Sequence, residues 1–217
     1  MLGIVFTGGE GPDPLIIKNN LTGIGSLFIV AADSGLALAE RAGYTPDIII
    51  GDMDSVDAEL LARYPAESVI RHPIAKDYTD TELAMQKVIE KGCKRIWIIG
   101  GGGGRLDHLF GIRSLFERDI TPCRWIMDKE DVYCIEKGNH YFSVDVGENV
   151  SVFPLGDGEW EATSESLKWP LDGIKWNRGF FGLCNVAIED CFNITVHAGR
   201  FMVIIPANYA VKKQEKC

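Results

Sequence analysis

The sequence predicts an α/β chain: a mostly parallel, Rossmann-like sheet domain over residues 1–138, followed by a small all-β sandwich or barrel over 139–217. Up to Gly138, apolar runs alternate with helix-compatible stretches, the pattern of parallel strands joined by crossovers. After Gly138, β-like runs follow at close spacing, with turn residues between them and no evident amphipathic helix. The stretch Pro46-Asp47-Ile48-Ile49-Ile50-Gly51-Asp52-Met53-Asp54-Ser55 adds chemistry to this frame, because a short buried strand ends at a glycine and two carboxylates emerge just past its carboxyl end. That edge is where ligands sit in open α/β sheets.

In chain order, Leu2 to Thr7 reads as the first strand and Gly8-Gly9-Glu10-Gly11-Pro12 as the loop leaving it. Leu27 to Ala32 is a second strand, closed by Asp33-Ser34-Gly35 and followed by Leu36, Leu38, Ala39 and Ala42 in a helical pattern. The Asp47 to Ile50 strand comes next, then a short helix over Ala58 to Tyr64 and a strand over Ser68 to His72. If the segment after Gly51 stays extended, alternation sets Asp52 and Asp54 on one side, close enough to share a cation such as magnesium; the competing reading is a solvated turn.

A helix follows over about Asp80 to Lys91. Thr79 and Glu82 have the spacing of a capping box, which accounts for Thr79, Asp80 and Glu82 by local structure alone. Lys76 and Asp77, on the loop before it, are not needed by that account, and with Asp52 and Asp54 they suggest a metal and phosphate pocket made from separate segments. Arg95 to Ile99 is a strongly apolar strand, and Gly100 to Gly104 run without interruption into a helix beginning at Arg105. Such glycines either let backbone N–H groups of Gly101, Gly102, Gly103 and Gly104 approach an anion at the helix start or form a merely flexible turn. Neither the P-loop nor the G-x-G-x-x-G fingerprint fits. Arg105 favours the anion, since a guanidinium there suits bidentate phosphate contact.

Composition limits the partners. A net charge of −9 on 217 residues opposes attraction to nucleic acid and to anionic membranes. Six cysteines without a C-x-x-C pair are too sparse for a disulfide framework, and reduced thiols in the cytoplasm are the simplest expectation. No stretch approaches the length of a membrane span, and Met1 to Phe6 is too short for a signal peptide.

Asp33-Ser34-Gly35, the Pro46 to Ser55 stretch, Lys76-Asp77-Tyr78-Thr79-Asp80 and Gly103-Gly104-Arg105-Leu106-Asp107-His108 resemble, in order and spacing, the motifs of thiamine pyrophosphokinases. The resemblance implies transfer of a pyrophosphoryl group from ATP to the hydroxyl of thiamine, with magnesium and release of AMP. It implies that Asp52, Asp54, Asp77 and Asp80 serve metal and phosphates. Arg105 and Asp107 would meet nucleotide or substrate, and Asp33, Ser34, Gly35, Lys76, Thr79 and Gly101 to Gly104 would line the nucleotide. Ser34 replaces one of the two glycines that usually follow the aspartate in the family. Leu167-Lys168-Trp169-Pro170-Leu171, Gly182-Leu183-Cys184-Asn185 and Gly199 to Val203 resemble the family's C-terminal β domain, which implies thiamine contacts at Cys184 and Asn185. Cys184 replaces the usual serine; as a thiol it is a weaker hydrogen-bond partner, and it reads equally as a small buried hydrophobe. Trp169 and Trp176 suit either core packing or stacking on an aromatic substrate. A homodimer, with thiamine on the β domain of the second subunit, is also implied. A kinase passing one phosphoryl group to another alcohol, or a non-catalytic nucleotide-binding module, remains an alternative reading of the same acids and glycines.

Overall fold

The computed structural model describes residues 1–73, 75 and 77–207. Lys76 and the tail from Lys212 to Cys217, read from sequence as a phosphate contact and a frayed end, lie outside the described residues. The chain forms two compact units, Met1–Leu115 with Arg124–Lys129, and Phe116–Cys123 with Glu130–Cys217. The second unit thus takes up the chain at Glu130, ahead of the change of texture at Gly138.

The first unit contains strands β1 (Leu2–Thr7), β2 (Leu27–Ala32), β3 (Ile48–Gly51), β4 (Val69–Arg71), β5 (Arg95–Gly100) and β6 (Arg124–Ile126). They lie in the order β6-β5-β1-β2-β3-β4 and every pair is parallel, as the alternation of strand and helix requires. Its helices are α1 (Pro14–Leu21), α2 (Gly35–Arg41), α3 (Ala58–Leu61), α4 (Asp80–Glu90) and α5 (Leu106–Leu115). β1 is buried along its whole length, with Val5 paired to Val30 and Ile98 and Phe6 to Ile99 in the flanking strands. The chain runs outward from β1 to β4 and returns to β5 on the other side of β1, so the topological switch lies between β1 and β5. Because the strands are parallel, the residues after β1, β2, β3 and β5 all emerge at one edge.

α1, β6 and a strand at Glu130–Ile135 were not anticipated from the sequence. α1 has a local signal in hindsight: Asp13 accepts a hydrogen bond from the Leu15 N–H at 2.7 Å, and Pro14 occupies the first helical position. Gly35 opens α2 so close to β1 that a Cβ there would overlap the Phe6 carbonyl.

The second unit contains β7 (Glu130–Ile135), β8 (Gly138–Ser143), β9 (Asn149–Leu155), β10 (Glu161–Glu165), β11 (Gly182–Val186), β12 (Cys191–Ala198) and β13 (Arg200–Pro206). They pair antiparallel in two sets, β11-β9-β13-β7 and β10-β12-β8, which share one apolar cluster in the sandwich-like arrangement expected. Phe142 stacks on Phe192 at 5.0 Å between ring centroids, and Trp176 meets Phe201 edge-on at 5.1 Å. One expected strand is absent. Leu167 to Leu171 makes only an isolated bridge, from Leu167 to Ala187, and Pro170, which has no N–H to give a ladder, interrupts the run.

Candidate active site

The acids that the sequence placed at strand ends converge, but not by the expected route. Met53 has a φ of 66°, so the segment after Gly51 turns instead of staying extended. The Asp54 N–H donates to Asp52 Oδ1 at 3.1 Å, which closes the turn and brings both carboxylates to one side. Asp33 joins them from the end of β2, where its own φ is 48° and its N–H donates to the Ile50 carbonyl at 2.9 Å. Asp33, Asp52 and Asp54 each offer an oxygen within 4.8 Å of the others. The resemblance implies a nucleotide contact at Asp33; the parallel register of β2 on β3, Ala32 opposite Ile50, makes it a neighbour of Asp52.

The electrostatics of this cluster follow from crowding. Asp52, by hydrogen bond and then by charge, pushes the Asp54 carboxyl above its ordinary range, with desolvation, Asp33 and Asp80 adding to the effect. Ser55 Oγ donates to Asp33 Oδ2, while Asp33 Oδ1 is buried with no hydrogen-bond partner among the described residues. A cation in the cluster would satisfy that orphaned oxygen and relieve the repulsion that raises Asp54. The donors are all carboxylate oxygens, the set a hard divalent ion takes.

Asp80 enters from α4. A Cβ on Gly51 would lie 3.3 Å from Asp80 Oδ1, so the glycine leaves room for that carboxylate beside the cluster. The capping box is present: Glu82 N–H donates to Thr79 Oγ1 at 3.2 Å, and the Thr79 N–H donates to Glu82 Oε2 at 2.8 Å. Thr79, read as a nucleotide contact, therefore has a local structural task. Asp77 is exposed on the preceding loop and is not one of the acids grouped within 4.8 Å.

At the topological switch the glycine run is zipped to the loop after β1. Gly101 N–H donates to Gly8 O at 2.9 Å, and Glu10 and Gly102 exchange both backbone hydrogen bonds at 2.7 Å. The amides of Gly101 and Gly102 are thus committed to the protein, which corrects the picture of a run of open N–H groups over Gly101 to Gly104. Gly103 and Gly104, with φ of 61° and 67°, carry the left-handed turn into α5. Arg105, expected at phosphate, forks onto Asp107, with Nε to Oδ1 at 3.1 Å and Nη2 to Oδ2 at 2.5 Å. The pair raises Arg105 and holds Asp107 below the usual carboxylate range, and both side chains are exposed. Ser34 sits at the start of α2 without a side-chain cap hydrogen bond.

In the second unit Cys184 is exposed with a φ of 55°, which removes the buried-hydrophobe reading. Asn185, by contrast, is only 6% exposed and spends its amide on the backbone of Trp169. Trp176 is a core residue, whereas Trp169 is 54% exposed.

Fold and site define a class of protein: a parallel α/β unit that gathers carboxylates at the carboxyl edge of its sheet, on one chain with an antiparallel β unit. The family described as thiamin pyrophosphokinase, catalytic domain, matches residues 25–122, which span β2 to α5 and every acid of the cluster. A thiamine pyrophosphokinase of Bacillus subtilis (strain 168) is 28% identical over 156 residues, 66% of this chain and 70% of that one. One from Oryza sativa subsp. japonica is 25% identical over 170 residues; the match takes in 71% of this chain but only 64% of that relative's length. Among solved structures, thiamine pyrophosphokinase from Bacillus subtilis superposes with a TM-score of 0.74 at 26% identity, covering 95% of this chain and 99% of that one. Thiamin pyrophosphokinase from Geobacillus thermodenitrificans gives 0.71 at 25% identity over 96% and 98%. The chain is similar to the thiamine pyrophosphokinases in sequence and in fold.

Proposed function

We propose that this protein transfers a pyrophosphoryl group from ATP to the hydroxyl of thiamine, giving thiamine diphosphate and AMP. The observation that carries the reading is the convergence of Asp33, Asp52 and Asp54, with Asp80 beside them, inside the stretch that matches the family's catalytic domain. Asp33, Asp52 and Asp54 would hold Mg²⁺, with Asp80 and Asp77 assigned to the same set; the ion would supply charge neutralisation to the phosphates. Transfer of this kind needs alignment and charge neutralisation more than a strong base. Arg105 serves the phosphates by exchanging one arm of its fork on Asp107 for a phosphate oxygen. Gly103 and Gly104 line the nucleotide, and the thiamine hydroxyl attacks the β-phosphorus with AMP leaving. The chain would act as a homodimer in the cytoplasm, with nucleotide on the α/β unit and thiamine on the β unit. Among the described residues no helix is long and apolar enough to cross a membrane.

The test is to incubate the pure protein with ATP, Mg²⁺ and thiamine and to resolve nucleotides and thiamine esters by chromatography. AMP and thiamine diphosphate are expected in equal amounts, dependent on metal and on thiamine. ADP with thiamine monophosphate would make the protein a simple kinase, and no thiamine-dependent conversion of ATP would overturn the enzymatic reading.

A further inference from the structure

Asn185 is a buried polar side chain whose hydrogen bonds are nearly exhausted. Its Oδ1 accepts from the Trp169 N–H at 3.1 Å and from the Val186 N–H at 2.8 Å, and its Nδ2 donates to the Trp169 carbonyl at 2.6 Å. An asparagine amide has two acceptor positions and two N–H donors, so the acceptor side is full and one N–H is left. The Lys168 N–H adds a bond to the Val186 carbonyl at 2.8 Å. Residues 168 and 169 are therefore fastened to β11 at both backbone polar groups of Trp169, although they form no strand. What this clamp presents is an indole that is 54% exposed, with Lys168 Nζ 4.6 Å from its ring centroid. Fixing the N–H and the carbonyl of one residue fixes its φ and ψ, and with them the direction of its Cα–Cβ bond.

We propose that Asn185 is a positioning residue: without touching thiamine, it holds the backbone of Trp169 so that the exposed indole stacks on an aromatic ring of the substrate. This deepens the function proposed above and rests on it for the substrate. An aromatic side chain already held in its binding geometry loses little freedom when the ligand arrives, which favours affinity over turnover.

The experiment is a double-mutant cycle on Asn185→Ala and Trp169→Ala. Each single variant is expected to raise the KM for thiamine about tenfold, leaving kcat and the KM for ATP within about twofold, the signature of lost uniform binding. The double variant is expected to be no worse than Trp169→Ala, because residues that act through one another are not additive. If Asn185→Ala does not fold, Asn185→Asp, which keeps both acceptor contacts and loses the donor to the Trp169 carbonyl, takes its place. Thiamine quenching of tryptophan fluorescence reads the same contact without turnover; it is expected in the wild type and lost in Trp169→Phe. Losses that multiply in the double variant would put Asn185 on the substrate itself and overturn the proposal, as would an unchanged thiamine KM in Trp169→Ala. Quenching without AMP formation supports the platform and strikes only the proposed reaction.

Discussion

Asp33, Met53 and Cys184 adopt φ of 48°, 66° and 55°, a region that residues other than glycine enter rarely. Such conformations persist where the surroundings over-determine them, and they cluster at functional sites. Two of these three frame the acid cluster, and the third follows the exposed Leu183 on β11. Asp52 and Asp54 were recognisable in the sequence because a strand, a glycine and two acids are a local pattern. The turn at Met53 and the arrival of Asp33 were not, since the first depends on a backbone angle and the second on the register of β2 against β3. Asn185 was recognisable as a residue of interest, but its task depends on a segment 16 residues away. Asp52→Asn or Asp54→Asn is expected to lower kcat by about a hundredfold or more, roughly 2.7 kcal/mol, with the fold intact. Far-ultraviolet circular dichroism and turnover measured on one sample check this, and a folded variant of near wild-type activity would take that acid out of the catalytic set.

At the scale of single elements, α4 shows why some features were legible. Its N-terminus is written in the four residues Thr79 to Glu82, and the capping box forms as that spacing requires. β6 and β7 have no comparable local signature. Arg124–Ile126 is short, and Glu130–Ile135 opens with two acids, so each is a strand because of the neighbour it pairs with. Leu167 to Leu171 erred in the other direction: an apolar run looked like a strand, while its backbone is held by a side chain. The cap of α4 also bears on activity, because Asp80 lies in the turn that Thr79 secures. Thr79→Ala should cost about 1 kcal/mol of stability, a fall of about 2–4 °C in Tm for a chain of this size. It should also lower kcat/KM through the looser Asp80, and Thr79→Ser should restore both. Calorimetry alongside turnover decides between this role and direct nucleotide contact, for which activity would fall while Tm stayed put.

For the whole molecule, the two units are not consecutive lengths of chain. Phe116–Cys123 belongs to the second unit, Arg124–Lys129 returns to the first, and β7 opens the second unit again at Glu130. A fragment cut after Gly138 would strand β7 with the first unit. β7 pairs antiparallel with β13 over the whole of Glu130 to Ile135, and buried Val132 and Ile135 lie opposite Ile204 and Phe201. Residues 139–217 alone would therefore expose one edge of β13 and a gap beside Phe201, an unpaired edge of the kind that templates aggregation. The cut would also remove Gly138 from the pairing of β8 with β12. Residues 130–217 restore the β13 partner, and 116–217 restore in addition Cys123, whose carbonyl accepts from the Cys134 N–H at 3.1 Å. Expressed separately, 139–217 is expected to be insoluble or to lack a cooperative melt, 130–217 to be soluble with a weak one, and 116–217 to melt cooperatively at the highest temperature of the three. Size-exclusion chromatography and thermal circular dichroism give the ranking, and a cooperative melt of 139–217 equal to that of 116–217 would show that neither β7 nor residues 116–123 contribute to the fold of the second unit.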